Sequence, residues 1–139
     1  MKKGFTLIEL LVVISIIGVL VAVAISSYTG AQIKARDARR RSDMKAIQST
    51  MEQYYSTTGN NLYPDTVALA FGTNPVPVDP KNSTPYLYSS YDYIDTTAND
   101  SYCICALLEE TGKGNASAGA ASGCTWTGTL NLFCVQNQQ

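Results

Sequence analysis

Glu9 is the residue of this sequence whose chemistry most needs an explanation. The run from Phe5 to Ile25 is apolar apart from Thr6, Glu9, Ser15 and Gly18. An acid inside such a helix is costly, by about 2.5–3.5 kcal/mol for a charged residue at a bilayer centre on insertion scales. The cost is offset where a cation meets the carboxylate in the same low-dielectric surroundings, and leaving either charge alone there is penalised. A cut between Gly4 and Phe5 creates such a cation, a new amine at Phe5 one helical turn ahead of Glu9. A second copy, offset slightly along the helix axis, then brings its amine to this carboxylate. Helices in the wrong register leave the charges unpaired, so Glu9 and Phe5 read as a register device for self-assembly.

The cysteines are the second reactive set. Cys103, Cys105, Cys124 and Cys134 all lie in the C-terminal third, and an even count behind a membrane-directed N-terminus favours disulfides formed outside the cytoplasm. Cys103 and Cys105 alternate on an expected strand, so both project from one face, with β-carbons too far apart for a direct bond. Two connectivities are therefore favoured, each pairing them separately with Cys124 and Cys134. Either staples the preceding loop and the last strand to the sheet, by about 2–4 kcal/mol per bridge. A four-cysteine zinc site is the alternative, but C-x-C with C-x9-C lacks the paired C-x2-C knuckles usual for zinc. The chain has no histidine, the side chain on which much acid–base chemistry near neutral pH depends. With no paired-carboxylate constellation or nucleophile motif either, an enzyme is not expected and no catalytic residue is assigned.

The elements that must hold these groups follow from pattern. As a helix, Phe5–Ile25 spans roughly 31 Å, about the thickness of bilayer hydrocarbon. Met1-Lys2-Lys3-Gly4 ahead of it should stay cytoplasmic by the positive-inside rule. From Ser26 to Ser56 there is no proline and one glycine, Gly30, and good helix formers dominate. Met44, Ile47, Met51 and Tyr54 or Tyr55 recur at steps of three and four, one apolar helix face; Tyr28, Ala31, Ala35 and Ala38 form a weaker small-residue stripe. One helix from Phe5 to Ser56 is expected, about 78 Å long if unbroken, ended by Thr57-Thr58-Gly59-Asn60-Asn61 with Gly59 at C′.

At this point a resemblance enters. Gly4-Phe5-Thr6-Leu7-Ile8-Glu9-Leu10-Leu11-Val12-Val13, continued by Ile16, Ile17, Gly18 and Val19, resembles the class III leader and transmembrane start of type IV pilins and pseudopilins. The resemblance implies cleavage by a prepilin peptidase after Gly4, N-methylation of Phe5, and an assembly role for Glu9. It also implies an α+β pilin-like fold, in which a long N-terminal helix packs on a small antiparallel sheet. The expected parts are a leader at 1–4, a transmembrane or filament-core half at 5–25, an amphipathic half at 26–58, and a head at 59–139. The implied partners are further copies in a helical filament, the peptidase, the cytoplasmic membrane and the assembly machinery. The resemblance further implies a single-pass subunit with its N-terminus in the cytoplasm before assembly, and a surface or periplasmic filament afterwards. Ser26 departs from the family, where many members carry a kink-forming proline; Gly18 remains a weak point. A secretory signal peptide ending at Ala22-Val23-Ala24 leaves Glu9 unexplained.

In the head, Tyr63-Pro64-Asp65-Thr66 opens a short helix through Val67, Ala68 and Leu69, capped by Asp65 or Thr66. Asn74 to Pro80 runs extended because each proline biases its predecessor away from helix. Strands are expected over Tyr86–Ser89, Tyr91–Ile94, Tyr102–Leu108 and Leu130–Val135, with a mobile loop of small residues at 112–123. Asp79-Pro80 and Pro85-Tyr86-Leu87-Tyr88 resemble the region after the helix in major pseudopilins of type II secretion systems. That likeness implies a calcium ion in a sheet loop, for which Asp92, Asp95, Asn99 and Asp100 are the oxygen donors, without the spacing or glycine of an EF-hand. Trp126 and the tyrosines read equally as core or adhesive surface.

Charge is segregated within a net of −1. Lys34, Arg36, Arg39, Arg40, Arg41 and Lys45 face only Asp37 and Asp43 in the neck, whereas after Thr57 only Lys81 and Lys113 oppose seven acids. Such opposite fields align neighbouring copies, or else mark a solvated helix face. A competing reading is a single-span binding module that uses Arg39, Arg40 and Arg41 on anionic lipid or DNA, although the overall charge does not indicate nucleic acid.

Overall fold

The computed structural model of the chain describes residues 4–90, 92–95, 97–119 and 124–138. The leader residues Met1–Lys3, Tyr91 of an expected strand, and 120–123 of the expected loop lie outside the described residues. The chain divides into two units, Met1–Lys34 and Ala35–Gln139. Helix α1, Leu7–Thr57, contributes to both.

In the first unit the described side chains of α1 are almost all exposed, among them Leu7, Leu11, Ile17, Val21 and Ile25. An 18-residue window has mean hydropathy 3.0 with none of it buried, so the segment is long and apolar enough to cross a membrane. Tyr28 and Ala31 of the small-residue stripe are exposed here.

The second unit is built on the rest of α1. Met44, Ile47 and Met51 are buried, as their spacing predicts, and pack with Tyr63, Tyr88, Tyr102, Ile104, Ala106 and Val135 in one apolar core. Ala35 and Ala38 are exposed, which corrects the expectation for this part of the stripe. The buried positions on those turns are Asp37 and Arg40 instead. Stepping back by four and then three from Met44 reaches both, so the inward face continues with polar side chains.

The helix ends where expected by a different device. The amides of Thr58 and Gly59 both donate to the Tyr54 carbonyl, at 2.9 and 2.7 Å. The left-handed residues are Asn60 and Asn61, with φ of 52° and 66°, and not Gly59. Asparagine enters that region more readily than other side chains. Glycine is needed at 59 for space, because a β-carbon there would strike the Leu62 carbonyl and the Tyr54 ring. Helix α2, Val67–Phe71, follows, with Thr66 as N-cap accepting from the Leu69 amide at 3.2 Å.

The sheet is antiparallel, with β1 (Tyr93–Ile94) and β5 (Leu132–Gln136) on either side of β2 (Tyr102–Leu107). A second pair joins β3 (Ala118–Gly119) to β4 (Cys124–Thr125). The α+β architecture of a long N-terminal helix followed by a small antiparallel sheet is therefore present. Two expectations are corrected. Tyr86–Ser89 is not a strand; residues Tyr88–Ser90 form a 3-10 turn, because the tyrosines there serve α1. Tyr88 lies in the core with its hydroxyl donating to Asp43 at 2.9 Å, and the Tyr86 ring lies under Arg40 and Lys81. The described part of 112–123 is also tied down. Gly114, Asn115 and Ala116 donate amides to the Leu130 and Leu132 carbonyls at 2.7–3.0 Å, and Ala116 is buried. Small residues permit this close approach: a β-carbon at Gly114 would collide with the Leu132 carbonyl.

Candidate functional site

The residues around the expected cleavage point form a defined helix start. Gly4 and Phe5 precede α1 in irregular chain and Phe5 is 85% exposed, so the Gly4–Phe5 peptide lies outside helical hydrogen bonding. Thr6 caps the helix. Its amide and hydroxyl both donate to Glu9 Oε2, at 2.9 and 2.7 Å, and the Glu9 amide points back at Thr6 Oγ1 at 3.3 Å. This is a reciprocal capping box. Glu9 therefore has a partner within its own chain, which a reading of hydropathy alone hides; the Thr-x-x-Glu spacing at 6–9 is the signal for it. Among the described residues Thr6 is the only partner of this carboxylate, and both Thr6 donors use one oxygen.

The four cysteines form two disulfides, Cys103–Cys124 and Cys105–Cys134, one of the two connectivities expected. All four sulfurs lie within 4.8 Å of one another, and those of Cys103 and Cys105 are 3.6 Å apart on one face of β2. The register explains one bond, since Cys105 stands directly opposite Cys134 across the strands. With no free cysteine in this state, the zinc alternative lacks its thiolate ligands. The bridges instead cover the sheet face turned away from the helix. There Cys103, Cys105, Ala116, Leu132 and Cys134 make a second buried cluster. Strand β2 is thus buried on both faces.

The expected calcium donors are dispersed. Asp95 Oδ1 accepts from the Thr97 and Ala98 amides at 2.8 and 3.2 Å, and the Asn99 amide group donates to Asp65 at 3.0 Å. Asp92 Oδ1 and Asn99 Oδ1 are buried without a hydrogen-bond partner, and Asp100 is exposed. Among the described residues the cysteines alone gather three or more metal-ligating groups of the His, Cys, Asp and Glu types within reach of one another. Two unpartnered oxygens fit a cation, but the three carboxylates do not converge on one. Burial pushes the Asp92 carboxyl up to about 7.

Two cations of the basic neck, Arg36 and Arg40, are spent inside the head, whereas Lys34, Arg39 and Lys45 are exposed. Arg40 is fully buried and binds both oxygens of Asp79, with further bonds to Asp37 at 2.7 Å and Glu109 at 2.8 Å. Arg36 grips Glu109 with two bonds of 2.7 and 2.8 Å, and Lys81 reaches the same carboxylate at 2.9 Å. Asp37 accepts the Glu109 and Glu110 amides, both at 3.0 Å. Hydrogen bonds from Arg36, opposed by burial and supported by Lys81 and Arg40, hold the Glu109 carboxyl well below the usual carboxylate range. The helix is thereby pinned to the Asp79-Pro80 turn and to the end of β2. Of the three consecutive arginines, Arg39 is largely exposed, Arg40 is enclosed, and Arg41 donates to the Lys113 carbonyl. They do not form one basic face. A second clamp was also missed: Glu52 accepts the Tyr63 and Tyr102 hydroxyls at 3.0 and 2.9 Å and the Gln138 amide at 3.1 Å.

A long apolar-headed helix, a small antiparallel sheet and a Gly-Phe-Thr-x-x-Glu start are the features in which this chain resembles pilins and pseudopilins. The prokaryotic N-terminal methylation motif family matches residues 1–25. The chain is 35% identical over 55 residues to a type IV major pilin protein of Myxococcus xanthus, 40% of this chain and 25% of that protein. It is 37% identical over 65 residues to the type II secretion system core protein G of Pectobacterium carotovorum, 47% of this chain and 40% of that one. With core protein G of Vibrio cholerae the identity is 28% over 99 residues, 71% of this chain and 64% of the relative. The chain thus spans a quarter to two fifths of the length of the first two relatives. No solved structure matches. These likenesses bear out the pilin and pseudopilin resemblance, most firmly at the N-terminal segment.

Proposed function

We propose that this chain is the structural subunit of a type IV pilus-like filament. It is cut by a prepilin peptidase between Gly4 and Phe5, N-methylated at Phe5, and polymerised through the apolar part of α1. Before assembly it sits in the cytoplasmic membrane as a single span with its N-terminus in the cytoplasm; afterwards it lies in a surface filament. The observation that carries this reading is Glu9. Among the described residues its carboxylate is held by Thr6 through Oε2, and on this reading the Phe5 amine of a neighbouring copy pairs with it in the filament. In a membrane-embedded monomer the capping box tempers the cost of an acid in apolar surroundings. In the filament an ion pair in low dielectric replaces that compromise and rewards one register.

The deciding measurement is N-terminal mass spectrometry of the protein in membranes and in sheared surface material. The expected mature chain starts at methylated Phe5. A start at Ile25, or filaments that keep Met1–Gly4, would overturn the proposal.

A second reading, a major pseudopilin of a secretion or DNA-uptake pseudopilus, is favoured by one observation. The likeness to core protein G of Vibrio cholerae covers 71% of this chain, well beyond the methylation motif. Its signature is processed subunit in short periplasmic fibres, with loss of protein secretion or DNA uptake on deletion. Long sheared surface filaments point to the first reading.

A further inference from the structure

We propose that the head carries a binding site for an aliphatic ammonium group, in the cavity lined by α1, α2, residues 76–89 and Ile94, with Asp92 as its counter-ion. The cavity has a volume of 510 Å³, within the usual size of a small-molecule site. Ile47, Val67, Val76, Val78, Leu87 and Ile94 give it apolar walls, and among the described residues no lysine or arginine lines it. Three acids border it, Asp65, Asp79 and Asp92, and two are already engaged. Asp79 spends both oxygens on Arg40, and Asp65 accepts from Asn99. Asp92 has no hydrogen bond among the described residues, and its Oδ1 is buried.

An uncompensated carboxylate at an apolar cavity selects its ligand by elimination. A neutral hydrocarbon fills the walls and leaves the charge unpaired. A small divalent ion needs several converging oxygens, and one free carboxylate does not supply them. A primary ammonium on an aliphatic body satisfies both parts, donating up to three hydrogen bonds from a single cationic end.

The test uses the full-length processed subunit in a neutral detergent, titrated with n-butylammonium and, as the uncharged isostere, n-butanol. Methyl resonances of Ile47, Val67, Val78 and Ile94 should shift saturably with one butylammonium per chain. Asp92→Asn should weaken butylammonium by about tenfold or more while leaving butanol unchanged. Val78→Lys, which places an ammonium at the rim in cis, should abolish butylammonium binding in a chain whose circular dichroism is unaltered. Equal butylammonium affinity in the parent and Asp92→Asn, or no saturable shift at these methyls, would overturn the proposal. So would competition by calcium with no response to the amine.

Discussion

Two stretches of one helix treat charge in opposite ways. Over its first turns to Ile25, α1 is apolar and exposed, with one acid that has a single local partner among the described residues. From Ala35 to Thr57 the same helix carries Asp37 and Arg40 at positions as buried as Met44 and Met51, and satisfies them from three directions. The difference teaches where to look for function. Charges completed within the chain, such as Arg40 with Asp37, Asp79 and Glu109, belong to the fold. A charge with only a local partner at an exposed apolar surface is, on the proposed reading, left for assembly. Burying an ion pair gains little stability over an apolar substitute, but removing one partner is expensive.

The comparison breaks most sharply at Arg40. Arg40→Ala strands Asp79 and part of Glu109 in the interior and is expected to cost about 3–5 kcal/mol, read as a lowered urea midpoint of the unfolding transition. Glu9→Ala should leave that midpoint within about 0.5 kcal/mol, and should still be cut after Gly4 yet lose filaments. Were both variants to lower stability equally, the division between fold and assembly would fail. The next effect belongs to the disulfides. Replacing Cys105 and Cys134 together by serine removes a bridge spanning 29 residues, expected to cost about 2–4 kcal/mol. Peptidase processing should be unaffected.

How much of this could be seen in the sequence depends on distance along the chain. The membrane-length run, the helix end near Thr57, the Thr66 cap, β2, β5 and the separate pairing of Cys103 and Cys105 are legible, because periodicity or short-range stereochemistry dictates each. The capping box at Thr6 and Glu9 was equally local, yet is masked by the hydropathy around it. Arg40 is different in kind. Its burial depends on Asp79 and Glu109, 39 and 69 residues away, and a run of arginines looks like a solvated face until those partners are placed. The same holds for Tyr86 and Tyr88, whose strand-like spacing yields to bonds with α1, and for Gly114 and Ala116, whose small size serves contact with β5. Trp126, open to either reading from its type, is partly exposed.

Titration sharpens the contrast within the head. The Glu109 carboxyl is held low, so its contribution to stability is complete above its unfolded value near 4.5 and is lost as pH falls below that. Asp92 works with the opposite sign. Its carboxyl is raised from 3.8 to about 7, so the folded chain binds the extra proton between those values and stability declines as pH rises through them. Asp92→Asn should remove that decline and gain roughly 2 kcal/mol at pH 8, the part of its side chain open to water being discounted. A parent chain whose urea midpoint is flat from pH 4 to 7 would show that Asp92 is already compensated.

The smallest effect separates two threonines that do the same local work. Thr66 caps α2 by accepting the Leu69 amide, and Thr6 caps α1 through Glu9. Thr66→Ala should cost about 1 kcal/mol of head stability, the usual loss for an N-cap, and leave assembly alone. Thr6→Ala removes one helix-capping acceptor and one of the two donors to Glu9 Oε2. Head unfolding should not register it, because the site lies outside the Ala35–Gln139 unit. The carboxylate, less well held by its own chain, becomes more dependent on the amine of the next copy. Subunits waiting in the membrane should therefore be fewer at steady state, while the filaments they form remain intact. Equal loss of filaments in Thr6→Ala and Glu9→Ala would instead make the threonine part of the intersubunit contact itself.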